Sequence, residues 1–584
     1  MSRFAIDPVS LPEGAPAAEE MPPRERWFAL ALLGLGLIFR FLYTWHYRID
    51  SDEPQHLHVV WAWAHGLLPY RDVFDNHAPL FQALYAPVFH LLGVRADILL
   101  PMRLAELPLF AATLYAVWKI AGALYTPRTA LWTTVLAALF PPIRFTDEFH
   151  FDGFYLSSIE FRPDQLWALL WLIVLLILAT GRINARRTFL AGLILGIAFS
   201  VSMKTTLLLA TLLVSGVGAL IVRRCAGGLD LEWPKLWARL GAGLAGIPLI
   251  PALVVLYFYT HGAIHSLYEC VITHNILPGS SLHLFSNGTM KCFLFGLPAA
   301  VGGSYLIARL EKSIAVRARI GFVYLAALLY LVILKAFWPV ITEEDYLPLY
   351  PAIMLTAGPA LLWLVTFAAR SASLAGPLLA GAEMIGILVA ASPFQDLTTD
   401  KIGMVADTLK LTAPDDYVMD SKGETIYRRR PYRYVFESRT FHRVKMGAIK
   451  DDIADHLIQT RTPLATTIRM PHHARDFIKA NYVPIAFRLR VVGQVLREPG
   501  VAAKGKCYFQ INVPQRYTLI TPAGAPAGLL DGTPFTGPRE LAAGKHVFLP
   551  DDPPDSLVLI WANAIERGYS PFAKIKDDQM TAQD

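Results

Sequence analysis

The sequence predicts a mainly α-helical, polytopic membrane domain with about 11 transmembrane helices, followed by a soluble C-terminal region of mixed helix and strand. Hydrophobic residues make up 54% of the 584 residues and charged residues only 17%, which is unlike a single soluble globular protein. Apolar runs close to the ~20 residues needed to cross a bilayer recur along the first two thirds of the chain. Beyond about residue 394 these runs shorten, and Pro, Gly and charges become frequent, which indicates a soluble domain.

The predicted membrane domain covers residues 27–393, after a cytoplasmic N-terminal tail at 1–26. The first apolar run lacks a small-residue cleavage site directly after a short apolar core, so we expect a retained signal anchor. The predicted spans are 27–46, 97–124, 128–143, 163–180, 188–203, 205–222, 237–260, 291–309, 319–337, 347–367 and 374–393.

The basic residues predict the orientation of these spans. The net charge of +6 comes from Lys and Arg scattered in short connections between apolar runs, which is the pattern of topology determinants and not of a nucleic-acid partner. A cytoplasmic N-terminus places most of these connections on the cytoplasmic side. The loops at 47–96 and 144–162, and everything after 394, then face outward. We therefore expect a multi-pass protein of a bacterial inner membrane with a periplasmic C-terminal region.

The C-terminal region divides into two predicted parts. Residues 394–515 are interpreted as an α/β region, with a strand at 417–419 and a helix near 450–459. Residues 516–584 show short alternating runs separated by Asp531-Gly532 and Pro-rich turns, which predicts a small β-rich, sandwich-like region.

Two acidic clusters lie in the predicted outer loops. Asp52 and Glu53 precede Pro54 at the predicted start of a helix that ends at Gly66, an arrangement that favours an interfacial helix with its carboxylates at the membrane surface. Acidic residues that return to one face of a membrane protein usually mark a reaction centre or a transport path. The alternative is that they only cap a helix.

The second cluster runs from Asp147 to Asp164 and includes His150, Asp152 and Glu160. Pro163 at the first turn of the next span again places a carboxylate, Asp164, at a helix N-terminus. Helix capping is the alternative function for Asp164 as well.

Three motifs at the ends of predicted spans carry a family resemblance. They are Asp52-Glu53 continuing into Gly66-x-x-Pro69-Tyr70-Arg71-Asp72 and His77-x-Pro79-Leu80, then Arg162-Pro163-Asp164, and then Tyr346-x-Pro348-x-x-Pro351. With these motifs the sequence resembles the GT-C membrane glycosyltransferases, in particular the branch of protein O-mannosyltransferases and lipid A aminoarabinose transferases. The resemblance covers roughly residues 27–370 and leaves out the C-terminal region.

The resemblance implies a polyprenyl-phosphate-linked sugar donor, an active site on the non-cytoplasmic face, and a catalytic base at Asp52. Moving a sugar from a lipid phosphate needs a carboxylate that takes the acceptor's proton and cations that stabilise the departing phosphate. We expect Asp164 and Glu53 to assist Asp52. Residues Asp152, His150 and Tyr346 are expected to contact the acceptor or the sugar, and the acceptor is a glycan, a lipid or a protein.

Lys204 is the first candidate for binding the lipid phosphate. It stands at the outer end of two spans, against the usual charge bias, although a lysine that snorkels to the interface is the alternative. Arg71 and His77 are further candidates. Related sequences often have a lysine where His77 stands, and an unperturbed histidine is mostly uncharged at neutral pH.

Several alternatives stay open at this stage. No cofactor is certain, and a divalent metal held by Asp52 and Asp164 is possible in chemical terms. Cys270 and Cys292 either pair or remain free thiols. The basic, aromatic stretch at 427–434 is interpreted as a solvated face or a surface near anionic lipid headgroups. Competing functions are a transporter or flippase of isoprenoid-linked sugars, or a non-catalytic envelope-assembly protein.

Overall fold

The computed structural model describes residues 21–146, 149–225, 232–276, 314–338, 340–498 and 505–575. The helices of the N-terminal domain are α1 Pro23–His46, α2 Asp52–Ala64, α3 Leu80–Leu92, α4 Leu99–Ala105, α5 Leu107–Leu124, α6 Pro127–Ala138, α7 Phe154–Ser157, α8 Pro163–Ala179, α9 Ala185–Val201, α10 Thr205–Cys225, α11 Trp233–Gly246, α12 Leu249–Thr260, α13 Ile264–Leu267, α14 Ile314–Phe337, α15 Leu349–Ala369 and α16 Ala372–Ala390. A short hairpin of β1 Ile143–Thr146 and β2 Phe149–Phe151 precedes α7.

Six helical stretches in the described residues are long and apolar enough to cross a membrane, and three shorter apolar helices accompany them. The protein is therefore a multi-pass membrane protein. The six are Pro23–His46, Leu99–Leu124, Trp233–Thr260, Val316–Phe337, Leu349–Ala369 and Ala372–Ala390, and the shorter helices are Leu80–Leu92, Pro163–Ala179 and Thr205–Ile221.

The predicted spans coincide with helices wherever the structure describes them, but the predicted number of 11 is not confirmed. The span at 291–309 lies outside the described residues. The span at 128–143 is too long, because its helix ends at Ala138 and the chain then enters strand β1. Two other spans are each built from two consecutive helices, α4 with α5 and α11 with α12.

The loop at 47–96 differs from its prediction. Helix α2 begins at Asp52 and is followed by Gly66 at φ +72°, as expected. Its residues Glu53–Ala62 are buried, however, so the prediction that this helix holds both of its carboxylates at the membrane surface is wrong for Glu53. Helix α2 packs against α3, which the sequence analysis did not predict, and the C-terminal region covers it.

Helices α9 and α11 pack closely because small residues face each other. A side chain at Gly192 would lie 2.0 Å from the carbonyl oxygen of Gly243, and one at Gly246 would lie 2.5 Å from the carbonyl oxygen of Phe189. Small residues spaced four apart allow such close approach of helices in membranes. Helix α9 ends at Val201, directly before the Ser202–Lys204 turn.

The described residues of the C-terminal region form two sheets and five helices. The helices are α17 Thr399–Leu411, α18 Ser438–Lys445, α19 Ile453–Gln459, α20 His472–Asn481 and α21 Ala562–Glu566. The strands are β3 Val418–Met419, β4 Leu464–Ala465, β5 Tyr482–Ala486, β6 Leu489–Arg497, β7 Cys507–Ile511, β8 Gln515–Ile520, β9 Gly528–Leu530, β10 Thr533–Pro534, β11 Arg539–Leu541, β12 Gly544–Pro550 and β13 Leu557–Trp561.

The two sheets do not follow the predicted boundary at residue 515. One sheet has the order β11-β8-β13-β6-β4-β3, with β5 beside β6, and the other has the order β10-β9-β12-β7. Strand β6, before the boundary, pairs antiparallel with β13, after it. Side chains from both sheets share one buried core that includes Phe509, Phe548 and Leu559. The strand and helix types expected in both parts are present, but they form one continuous unit.

The C-terminal unit is docked on the first outer loop by hydrogen bonds. His58 Nδ1 lies 2.7 Å from the carbonyl oxygen of Ile426, and the Tyr427 hydroxyl donates to the carbonyl oxygen of Arg95 at 2.8 Å. Lys401 Nζ donates to the carbonyl oxygen of Ile49 at 2.7 Å. The C-terminal unit therefore forms a roof over α2.

The basic stretch at 427–434 is largely structural. Arg428 donates to Thr412 Oγ1 at 2.8 Å, and Arg430 pairs with Asp420 at 3.0 Å. Both arginines are nearly covered by protein. The interpretation of this stretch as a solvated face is therefore wrong for these two residues.

Candidate active site

The first turn of α2 places two adjacent carboxylates in opposite environments. Glu53 is fully buried and accepts from Arg103 Nε and from the backbone N–H of Phe161, both at 2.7 Å. It also accepts from the backbone N–H of Asp50 at 3.0 Å. Glu53 thus ties the start of α2 to α4 and to the loop that precedes α8, and it does not line the cavity described below.

Asp52 points away from Glu53 and is held by two cations. Its Oδ2 lies 3.0 Å from Arg162 Nη2, and its Oδ1 pairs with Nζ of Lys422 from the C-terminal unit. Its side chain is 24% exposed. Burial favours the neutral form, but Lys422 and Arg162 outweigh it and hold the pKa of Asp52 well below its usual range. Asp52 is therefore an ionised carboxylate between a helical-domain cation and a C-terminal cation.

Arg162 gathers the acidic residues of three segments. Its Nη1 lies 3.2 Å from Asp50, its Nη2 lies 2.8 Å from Glu344, and its Nε lies 3.6 Å from Asp164. Burial opposes the charge of this guanidinium, but the carboxylates, Glu344 first, raise its pKa well above the usual value. Arg162 therefore stays charged and joins the loop before α8 to the 3₁₀ turn Glu343–Tyr346.

Lys204 occupies the turn between α9 and α10 and pairs with two further carboxylates. Its Nζ lies 3.4 Å from Asp164 Oδ1, and it also pairs with Asp345, which is fully buried. Burial lowers the pKa of Lys204, but Asp164 and Asp345 raise it above the usual value. The lysine is only 18% exposed, so it does not snorkel freely into solvent.

A cavity of about 430 Å³ lies between the helical domain and the C-terminal unit. The helical domain contributes Asp52, His77, Arg162, Asp164, Lys204 and Glu344, together with apolar Val201, Met203, Trp338 and Val340. The C-terminal unit contributes Lys422, Phe436, Glu437, Ser438, Arg439, Phe441 and Arg469. The cavity combines carboxylates, several cations and an apolar side, which suits a ligand with both a phosphate and a lipid chain.

His77 reaches the cavity as part of a pair with a buried carboxylate. Its Nδ1 lies 2.8 Å from Asp75 Oδ1, and its ring lies 4.7 Å from that of His56. Burial lowers the pKa of His77, but Asp75 and then Glu437 raise it above the usual value. The charge that an unperturbed histidine lacks at neutral pH is thereby favoured here.

Three other predicted site residues, Arg71, Asp152 and Tyr346, are not among the described residues that line this cavity. Arg71 is 53% exposed and pairs with its neighbour Asp72 at 2.8 Å. Asp152 lies 3.8 Å from Arg48. Tyr346 is buried, with Lys335 Nζ 5.3 Å from its ring centroid. The side chain of His150 lies outside the described residues.

A second acidic group surrounds Arg48 beside the cavity. Its guanidinium lies 3.6 Å from Glu160 and 4.0 Å from both Asp50 and Glu343. Burial and the nearby Asp50 raise the pKa of Glu160 to about 8, against the opposing effect of Arg162. Glu160 therefore carries a proton near neutral pH and relieves the repulsion among these carboxylates.

The structure does not arrange the predicted metal ligands around a common point. Among the described residues, no group of three or more His, Cys, Asp or Glu side chains is placed to hold a metal ion. Asp52 and Asp164 both contact the guanidinium of Arg162 instead. This donor set does not fit a metal bridging the two aspartates. Within the described residues Cys270 forms no disulfide, and its predicted partner Cys292 lies outside them.

Sequence analysis missed much of the cavity. Arg162 was recognised within a motif but was given no chemical role. Glu344 and Asp345 were given no role, although their position just before the predicted span at 347–367 was a usable signal. Lys422, Glu437, Arg439 and Arg469 carried no local signal, because they reach the cavity only through the docking of the C-terminal unit.

Comparison with solved structures identifies the fold. ArnT from Cupriavidus metallidurans bound to undecaprenyl phosphate is similar to this chain with a TM-score of 0.55 at 13% sequence identity, over 80% of this chain and 98% of that one. Its apo state gives a TM-score of 0.56 at 14% identity with the same coverage. The chain has the GT-C fold. The expected fold class is thereby confirmed.

A weaker likeness is found to an oligosaccharyltransferase from Archaeoglobus fulgidus in complex with Zn and sulfate. The TM-score is 0.42 at 12% identity, over 81% of this chain and 72% of that one. No protein-family model and no curated protein sequence matches the chain.

Proposed function

We propose that this protein is an integral membrane glycosyltransferase that moves a sugar from a polyprenyl-phosphate-linked donor to an acceptor on the extracytoplasmic face. The observation that carries the proposal is the cavity in which Asp52 lies between Arg162 and Lys422, with Lys204 on the adjoining wall. The GT-C fold supports it, since ArnT with that fold was crystallised with undecaprenyl phosphate.

The proposed reaction is an inverting displacement. Asp52 takes the proton of the acceptor's hydroxyl or amine as that nucleophile attacks the anomeric carbon. The bond between the anomeric carbon and the phosphate oxygen breaks, and its electron pair leaves with the polyprenyl phosphate. Lys204 and Arg162 stabilise the negative charge that develops on the leaving phosphate.

The low pKa of Asp52 fits this reaction when the bound donor weakens the ion pairs of Asp52 with Arg162 and Lys422. A strongly paired carboxylate is a weak base. A donor phosphate in the cavity competes with Asp52 for Arg162 and Lys422, and any weakening of those pairs raises the basicity of Asp52. Donor binding thereby activates the base. Asp164 orients Lys204 and Arg162, both of which it contacts, and Glu53 positions the first turn of α2.

The apolar side of the cavity provides a binding surface for the lipid chain of the donor. Val201, Met203, Trp338 and Val340 line the cavity beside Lys204. A polyprenyl chain that lies against these residues would place its phosphate near Lys204, and the acceptor would then approach from the side of the C-terminal unit.

A transporter or flippase of isoprenoid-linked sugars is the alternative that also uses such a ligand. The ionisable residues described above gather at helix ends and in loops, whereas transporter sites usually lie near the bilayer midplane on broken helices. This placement favours the transferase.

The test uses the purified full-length protein in detergent with a polyprenyl-phosphate-linked sugar and a mixture of envelope acceptors. A transferase releases free polyprenyl phosphate and inverts the anomeric configuration of the transferred sugar. Release that is absent, together with movement of intact sugar-lipid across proteoliposomes, would contradict the proposal and support a flippase.

A further inference from the structure

We propose that Asp75 is a positioning residue that pairs with Nδ1 of His77 and keeps the His77 ring protonated. Nε2 of the ring then remains available in the cavity, where the charged ring binds the donor phosphate. Binding of the phosphate therefore depends on the proton that His77 carries. The inference deepens the proposed function and rests on it, because the phosphate belongs to the proposed donor. It adds a residue, Asp75, that does not itself line the cavity.

The geometry fixes which nitrogen of His77 is available. Asp75 Oδ1 accepts from the backbone N–H of His77 at 3.1 Å and lies 2.8 Å from Nδ1 of the same residue. The Tyr70 hydroxyl donates to the carbonyl oxygen of His77 at 2.7 Å. In the described part of the chain Nε2 has no hydrogen bond or ion pair, and the His77 side chain is 30% exposed in the cavity wall. Nε2 is therefore the nitrogen that can meet a ligand.

Burial of Asp75 explains why His77 holds a proton. Asp75 is fully buried, and its Oδ2 accepts no hydrogen bond from the described residues. A buried carboxylate without a counter-charge is costly, and His77 is the cation paired with it. Loss of the proton from His77 would leave this carboxylate uncompensated.

The surroundings of the His77 ring both favour and oppose its protonation. Asp75 on the same loop, Glu437 from the C-terminal unit and Asp52 on α2 favour the charged ring, and burial opposes it. His56 on α2 contacts the ring and has a pKa well below its usual value, because of burial and then of the charge on His77. His56 therefore stays neutral and does not compete for the proton.

The direction of the pH effect follows from this balance. The folded protein favours protonated His77, so its contribution to phosphate binding is complete at low pH. That contribution is lost as the pH rises through the raised pKa of His77. A lysine at the same position would keep its charge throughout this range.

The experiment measures the Kd of undecaprenyl phosphate for the purified full-length protein from about pH 6 to about pH 9. His77→Lys is the reference, because titration of the ligand affects both proteins equally. We expect the ratio of wild-type to His77→Lys Kd to rise by up to about tenfold per pH unit above the pKa of His77. Asp75→Asn should move that rise to lower pH, and His77→Gln should bind weakly at every pH.

The outcomes separate this inference from the function on which it rests. Parallel Kd curves for the wild type and His77→Lys, or an unchanged curve for Asp75→Asn, overturn the inference while the donor site stands. Absence of undecaprenyl phosphate binding by the wild type and all variants would count against the proposed function itself.

Discussion

The two walls of the cavity come from parts of the chain that the sequence describes very differently. The helical wall carries Arg162, Asp164 and Lys204 at the ends of apolar helices, within or beside recognisable motifs. The C-terminal wall carries Lys422, Glu437 and Arg439 on segments without a motif. Asp52 touches both walls through Arg162 and Lys422. Motifs in the helical domain therefore mark only one half of the site, and the C-terminal unit supplies the other half.

Asp52→Asn, at the junction of the walls, should have the largest effect. Loss of the base is expected to lower the transfer rate by about 10²- to 10⁴-fold. Binding of undecaprenyl phosphate should be at least as tight as in the wild type, because Arg162 and Lys422 lose an anionic partner. Single-turnover kinetics and equilibrium binding measure the two effects separately, and undiminished turnover would rule out Asp52 as the base.

Lys204→Met breaks the helical wall and should weaken donor binding by about tenfold to a hundredfold, the range for a lost charged hydrogen bond. Its removal also leaves Asp164 without this cation, so the charge of Asp164 repels the phosphate. Buried Asp345, whose pKa is already raised by burial, takes a proton more readily once Lys204 is absent. The measurement is the Kd of undecaprenyl phosphate. Lys204→Arg is the matched variant that keeps the charge, and thermal unfolding shows whether the fold survives.

Lys422→Gln removes one cation from the C-terminal wall. It should weaken donor binding by about threefold to tenfold, which is less than Lys204→Met, because Lys422 pairs with one carboxylate, Asp52, whereas Lys204 pairs with two. Lys422 helps to hold the pKa of Asp52 below its usual range, so its loss raises that pKa. The fall in kcat on acidification should then begin at a higher pH than in the wild type. A pH profile of kcat that matches the wild type would show that the C-terminal wall does not act on the base.

Arg71→Gln should have the smallest effect, a change in donor Kd within about twofold. Arg71 is more than half exposed and paired with Asp72, and it lies outside the cavity lining. The variant is therefore the surface control for Lys204→Met. A loss of binding as large as that of Lys204→Met would restore Arg71 as a phosphate ligand.

Sequence reasoning worked where local pattern determines position. Asp52, Asp164 and Lys204 follow or precede apolar helices, so alternation across a membrane predicted that they share one side, and the structure places all three on one cavity. The structure does not place Arg71 on this cavity, because residues a few positions apart in a loop point in different directions. Tyr70 before it is buried at φ +71°, and the Arg71 side chain faces solvent.

The remaining differences come from docking of the C-terminal unit, which has no local signature. Helix α2 resembles an interfacial helix in its sequence, yet His58 on it contacts Ile426 and Gly423 of the roof. Lys422 reaches Asp52 across 370 residues of sequence. Such long-range contacts depend on tertiary packing, and no residue pattern near Lys422 or Asp52 predicts them.

The most direct test of the central claim is photocrosslinking of purified full-length protein with a photoactivatable polyprenyl phosphate, followed by mass spectrometry of the labelled peptides. If the donor binds between the two walls, labelled peptides should contain residues 201–204 of the helical wall and 436–441 of the C-terminal wall, and excess undecaprenyl phosphate should prevent the labelling. Labelling confined to other helices, or insensitive to that competitor, would contradict a donor site in this cavity.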